Sequence, residues 1–276
     1  MPARKSDFTP AHFNATAADF AGNDGIGRYV FLPTSDGHAK EIAQYFENVS
    51  VKPHHRAHNL YLGTLPCDGA LIEVAAISTG MGCPSTEVIL HELFALGAKR
   101  FLRIGTAGSL QPELIKAGDL INVQASVRDE CTTARYAPVG FPAIASLELT
   151  SSILLAAENI GLDNMLHTGI AHCKSSFYGG AKDQRQTEYL KLLSDTGVLV
   201  SEMESATIFI QSQIYNHQLQ SQGNSPAHRV LAGAILSVLG DKSEVESMVQ
   251  VKKSLKNSIE LALEAVKTLA TQELIQ

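Results

Sequence analysis

Three short stretches of this 276-residue sequence gather residue types that handle anions and hydroxyls. The first is RIGTAGS at 103–109, where Arg103 stands near the end of an apolar run and Thr106 follows beside two glycines. An arginine at a buried strand end is costly unless it meets an anion, and its planar fork suits phosphate or carboxylate oxygens. Arg103 therefore reads as an anion ligand, with an internal ion pair to one of the chain's own carboxylates as the other reading. The second is STGMGCPST at 78–86. Backbone N–H groups freed by Gly80 and Gly82, together with the start of a helix, suit an anion, although a plain strand-to-helix turn accounts for the same glycines. The dinucleotide fingerprint fails there because a third glycine is missing, and Gly25 and Gly27 precede their strand instead of following it. The third is SEMESA at 201–206, where Glu202 and Glu204 flank Met203. Two carboxylates and a thioether fit sugar hydroxyls and a sugar ring, or else an acid serving a helix N-terminus. A fourth stretch, His54, His55, Arg56 and His58, has histidines four apart but no acidic third ligand, and it reads as extended. Arg56 as an anion ligand is the better use of it than a metal.

These residues need a scaffold, and alternating strand and helix patterns supply one. Residues 29–33 read as a buried strand and 36–46 as a helix; 59–65 and 71–78 read as a hairpin around Asp68 and Gly69. A helix over 84–96 opens with Pro84 and stops at Gly97, and a strand over 100–104 leads into a glycine-rich loop at 105–108. Strands follow at 120–127, 167–173, 198–201 and 230–239, with helices at 149–159, 187–194, 204–215 and 246–269. The polar stretch 216–228 reads as a long surface loop. This alternation predicts α/β layering in one domain spanning 1–276, with no internal repeat.

Composition narrows the functions. The net charge of −6 offers no general attraction to nucleic acid or to an anionic membrane, so phosphate binding must come from a few placed cations. Cys67, Cys83, Cys131 and Cys173 are widely spread and form no Cys-x-x-Cys pair, which points to free thiols in a reducing cytoplasm and to no zinc site. No apolar run reaches the roughly 20 residues of a membrane span, and residues 1–20 carry no signal-peptide pattern.

Five stretches together resemble the nucleoside phosphorylase family, most closely its uridine phosphorylase branch: 78–86, FLRIGTAGSLQP at 101–112, APVGFPA at 137–143, SFY at 176–178 and 201–206. The resemblance implies a mixed, barrel-like β-sheet surrounded by helices and an enzyme that splits a pyrimidine nucleoside with inorganic phosphate, giving free base and ribose 1-phosphate. It implies no cofactor, phosphate being the co-substrate. By position it gives phosphate to Arg103 and Thr106, with Arg56 reaching in from a neighbouring subunit. Glu204 would hold the ribose hydroxyls, Met203 would lie against the sugar with Glu202 beside it, and Gly108 would border the substrate. His12 would meet the 5'-hydroxyl across a dimer and Phe177 would pack on the base. Shared sites imply dimers, assembled in this branch as a hexamer of three dimers.

The chain also departs from that pattern. Where the branch has a Gly-Asp pair and a phosphate-binding arginine after the first strand, Thr34, Ser35 and His38 stand here, and a protonated His38 is the available replacement. The Gln-x-Arg triplet that reads uracil is replaced around Ala181 and Asp183, with Gln184 and Arg185 just beyond. An expected arginine in the last strand is Val238, Asp241 follows it, and Ala57 stands where an interface cation would find a carboxylate. These departures keep two other outcomes open: a phosphate-independent nucleosidase, and a noncatalytic nucleoside-binding paralogue.

Overall fold

The computed structural model describes residues 8–178, 183–224, 229–239 and 248–274. Strand β1 (Tyr29–Pro33) is buried along its whole length. Tyr29 and Phe31 belong to one apolar cluster, Val30 and Leu32 to another. A strand covered on both faces shows this unbroken apolar pattern because successive side chains point to opposite sides. Helix α1 (Asp36–Ala43) follows, capped by the Ser35 hydroxyl, which accepts from the His38 N–H at 3.3 Å. Strands β3 (Leu60–Cys67) and β4 (Ala70–Ala76) form the expected hairpin, with Asp68 and Gly69 both left-handed at φ 48° and 82°. Strand β2 (Glu47–Lys52) precedes them and was not legible in the sequence, because its side chains are almost all exposed and lack a buried alternate face.

Helix α2 (Cys83–Ala95) starts at Gly82, φ 85°, with Pro84 in its first turn. Strand β5 (Arg100–Ser109) then corrects one expectation: residues 105–108 are not a loop but the second half of a ten-residue strand. They stay extended because β10 (Leu231–Val238) pairs with β5 as far as Ala107. Strand β6 (Leu120–Asp129) and the two-residue β7 (Ala143–Ile144) lead to α3 (Leu147–Ile160), which ends at left-handed Gly161. Next come β8 (Leu166–Lys174), α4 (Gln184–Asp195), β9 (Val200–Glu202) and α5 (Ser205–Ser221). Helix α5 overturns the surface loop expected from residue 216, since its polar last turns stay helical to Ser221; residues 225–228 lie outside the described residues. The chain's last described element is α6 (Met248–Leu274).

The ten strands among the described residues join one sheet in the order β10-β6-β8-β9-β5-β1-β4-β3-β2, with β7 on β6. A further pairing of β10 with β5 closes β10, β6, β8, β9 and β5 into a five-stranded barrel. The mixed, barrel-like sheet implied by the resemblance is therefore present. Helices α2 and α5 supply one apolar cluster, and α1, α3 and α6 supply the other. Strand β5 belongs to both barrel and wing: its first half lies between β1 and β10, and its last residues, Gly108 and Ser109, meet Ser201 and Val200 of β9. Among the described residues no helix is long and apolar enough to cross a membrane.

Two arginines fix the frame around this sheet. Arg128 of β6 donates to the carbonyls of Pro138 at 2.5 Å, Phe141 at 2.8 Å and Ala137 at 3.0 Å, and to the Thr133 hydroxyl at 2.9 Å, so one cation gathers the 133–141 segment. Arg100, at the start of β5, is 3% exposed and meets Glu273 of α6 at 2.6 Å, while the Tyr29 hydroxyl donates to the same carboxylate at 2.9 Å. Removing one partner of a buried ion pair leaves an uncompensated charge, at a cost of about 3 kcal/mol or more. Glu273→Ala is expected to lower the urea midpoint accordingly, while a Lys191→Ala control, which breaks an exposed pair with Asp195, leaves it nearly unchanged.

Candidate active site

Arg103 sits mid-sheet, opposite Leu32 of β1 on one side and Ala234 of β10 on the other, and is 1% exposed. Its charge is met from three directions. Nη2 donates to Glu204 Oε2, Nε lies 3.3 Å from Glu202 Oε2, and Nη1 donates to the Thr34 hydroxyl at 3.3 Å. The structure shows the second of the two sequence readings of Arg103, an internal ion pair, and its partners are the two acids of the SEMESA stretch. Gly105 makes room for it, since a Cβ there would stand 2.5 Å from Nη2. That requirement, not a loop, accounts for the first glycine of the motif.

The carboxylates are themselves held by backbone. Glu204 opens α5, and its Oε1 accepts from the Gly82 N–H at 2.6 Å. The backbone donor freed by the 78–86 glycines therefore does hold an anion, and the anion is this chain's own Glu204. Glu202 accepts from the N–H groups of Glu204 at 2.9 Å and Ser205 at 3.0 Å and from the Ser205 hydroxyl at 2.5 Å, so it is the acid that serves the α5 N-terminus. The Ser205 hydroxyl continues to Ser126 of β6 at 2.7 Å. Cys83 reaches the Met203 carbonyl at 3.2 Å and the Cys173 sulfur at 3.5 Å, which ties the glycine turn to β8 and β9.

Two carboxylates share one guanidinium in this buried cluster. Burial pushes the Glu204 carboxyl above the ordinary carboxylate range; Arg103 pulls it back down and Glu202 pushes it up again. Burial alone would weaken Arg103 as a cation, but the same two carboxylates more than offset it and hold its proton. Above the cluster, His38 is pushed below the ordinary imidazole range, chiefly by burial and also by Arg103, with Glu41 opposing. Its Nε2 is buried and has no hydrogen-bond partner.

The remaining expected residues fall at varying distances from this cluster. Thr34 is in direct contact with Arg103, and Ser35 is occupied as the cap of α1. Thr106 is half-buried and Gly108 exposed along β5, with Met203 half-buried beside Glu204. Phe177 is 54% exposed, packed edge-on with Tyr178 and lying 5.5 Å below the Lys174 ammonium. Arg56 is exposed on the 53–59 connection. His12 bonds Glu92 of α2 through Nδ1 at 2.7 Å, and the same carboxylate accepts from the Ala11 and His12 backbones. Glu92 was missed in the sequence, although a single acid on the apolar side of a helix was the available signal. Asp183 caps α4 and pairs with Arg185, so the first turn of a helix uses both. Val238 is buried in β10. Ala181 and Asp241 lie outside the described residues.

A closed five-strand barrel with a wing holds a buried arginine gripped by two acids where β9 gives way to α5. The chain belongs to the phosphorylase superfamily, whose family model matches residues 28–268. Its relatives include the uridine phosphorylase of Treponema pallidum (strain Nichols), 34% identical over 257 residues that cover 90% of this chain and 92% of the relative. The uridine phosphorylase of Thermococcus kodakarensis is 34% identical over 69% of each chain, and that of Escherichia coli (strain K12) is 29% identical over 94% of this chain and 97% of its own.

The elevated Glu204 carboxyl has a consequence for stability. Because the folded protein holds this proton more tightly than the unfolded chain does, the linked stability is present below the ordinary carboxylate range and is lost as pH rises through the raised value. Glu204→Gln keeps an acceptor for Gly82 and removes the like-charge contact with Glu202. Urea midpoints at pH 5 and pH 8 are expected to differ less in that variant than in the unaltered protein; an equal or larger difference would place the titration elsewhere.

Proposed function

We propose that the chain is a uridine-phosphorylase-like enzyme, which cleaves a pyrimidine nucleoside with inorganic phosphate and needs no cofactor. The observation that carries this reading is the Arg103, Glu202 and Glu204 cluster, set where the β1 and β4 connections converge on β5 and β9. The relatives named uridine phosphorylase support the same reading.

In this proposal, Glu204 accepts from ribose hydroxyls and Met203 lies along the sugar. Arg103 and Thr106 orient the phosphate. A phosphate oxygen attacks C1' as the N-glycosidic bond breaks, the bonding pair leaves with the base, and ribose 1-phosphate forms. An oxocarbenium-like C1' gains from the neighbouring dianion, and holding the two reactants together in a dry cleft removes much of the entropic barrier. Arg103 already has two anionic partners, so its capacity for phosphate is shared. Arg56 of a second copy supplies the missing charge, and His12 of that copy meets the 5'-hydroxyl. The assembly is then at least a dimer with shared sites, built in the branch's manner into a hexamer, and the role is pyrimidine salvage in the cytoplasm.

Incubation of uridine, thymidine, inosine and adenosine with and without phosphate tests the reaction. Ribose 1-phosphate from a pyrimidine nucleoside is expected; free ribose identifies a nucleosidase, and binding without product identifies a noncatalytic paralogue. Arg103→Lys keeps the charge but loses the fork, and kcat/KM is expected to fall about 100-fold or more; the buried contacts with Glu202 and Glu204 loosen too, so the assay is run well below the variant's own melting temperature. Coexpressed Arg103→Lys and Arg56→Ala chains are expected to recover activity that neither has alone, because a mixed dimer contains one intact site. No recovery would mean that the sites are not shared. His38→Arg is expected to lower KM for phosphate, since the neutral imidazole at pH 7 contributes no charge.

A further inference from the structure

A second polar constellation lies on the other face of β9 from Glu202. His172 of β8 is fully buried; its Nε2 is 2.9 Å from Asp129 Oδ2 and its Nδ1 is 3.1 Å from the Ser201 hydroxyl. Tyr189 of α4 closes over the imidazole edge-on, with centroids 5.9 Å apart. Strand register explains the assembly, since His172 and Gly108 are the two cross-strand neighbours of Ser201. Neighbours at one level of a sheet project to the same face. Because Gly108 has no side chain and is exposed, Ser201 stays half-buried and open on that side.

That face is also the Phe177 side. His172 and Lys174 alternate to the same side of β8, and the Lys174 ammonium lies 5.5 Å from the Phe177 ring. In the pose of the proposed function, with the sugar at Glu204 and the base directed to Phe177, the base passes over Ser201 of β9.

The hydrogen-bond polarities follow from elementary chemistry. A carboxylate only accepts, so Nε2 carries the proton that goes to Asp129. In the Nε2–H tautomer Nδ1 is bare and accepts the Ser201 O–H, and the role of Ser201 rests on that tautomer. With its proton committed inward, Ser201 Oγ turns its remaining lone-pair capacity outward as an acceptor. We propose that Ser201 is a specificity-determining residue that reads an N–H of the bound base, the imide N3–H of a uracil ring, with His172 and Asp129 as positioning residues that keep it an acceptor. This proposal rests on the phosphorolysis reading for the pose of the nucleoside. It also gives the base a polar contact that Asp183, engaged in capping α4, does not supply.

The test compares uridine with 3-methyluridine, which lacks the N3–H, as the ratio of their kcat/KM values. The unaltered protein is expected to favour uridine by more than tenfold. Ser201→Ala is expected to shrink that ratio about tenfold. Asp129→Ala, at a carboxylate 42% exposed, is expected to shrink it as well, raising KM for uridine more than it lowers kcat. A purely structural role would move melting temperature and leave the ratio alone. An unaltered ratio in Ser201→Ala, or equal use of the two nucleosides by the unaltered protein, overturns the proposal, and an unaltered ratio in Asp129→Ala overturns the positioning role. If uridine and phosphate give no product at all, the phosphorolysis reading fails separately. Calorimetric titration of the same two nucleosides into the unaltered protein and Ser201→Ala then decides the contact without turnover: a preference lost in the variant supports it, and equal affinities refute it.

Discussion

A guanidinium shut away from water between two carboxylates is the constraint on which this structure turns. Arg103 lies at the centre of the sheet, where an uncompensated charge would be very costly, so Glu202 and Glu204 must be delivered to it at fixed positions. Each acid is placed by backbone: Glu204 by the N–H of Gly82, Glu202 by the first N–H groups of α5. Those placements need the α2 turn, the β9 strand end and β5 to stay in mutual register. Barrel closure through the β10 and β5 pairing provides that register. Folding and the candidate site are thus joined by a single electrostatic requirement.

Like charge gives the cluster its chemical character. One cation faces two anions, and burial raises the Glu204 carboxyl while the carboxylates hold the proton of Arg103. Hydroxyl groups donated by a sugar would relieve carboxylate crowding, and an anion near Arg103 would compete with it. Tension of this kind favours a ligand that brings hydroxyl donors to the carboxylates, as a ribose does, while a phosphate needs positive charge beyond Arg103.

Much of this was legible in the sequence, and the failures have physical causes. Buried strands such as β1 and β10 and the Asp-Gly hairpin were visible because apolar runs and turn chemistry are local properties. The second half of β5 was mistaken for a loop because glycines signal turns when isolated; here Gly105 serves an approaching guanidinium and Gly108 a cross-strand neighbour. β2 escaped because an edge strand with exposed side chains has no pattern to display. Arg103, Glu202 and Glu204 were singled out by residue type. Their direct contact was not, since residues 103 and 204 meet only through long-range strand pairing. His172 and Asp129 left no trace, and Ser201 stood in the SEMESA stretch with no role of its own, because the three are brought together from three strands at spacings that no motif describes.

The grip of Arg128 on residues 133–141 has its own thermodynamic meaning. Carbonyls that would otherwise sample many orientations are collected on one cation, so the segment bearing the exposed Val139 and Phe141 loses its conformational freedom during folding. Ordering that is complete before any encounter does not subtract from the free energy of the encounter, and a rigid apolar ridge associates with less loss than a floppy one. One β6 side chain thereby sets the stiffness of the 133–141 segment.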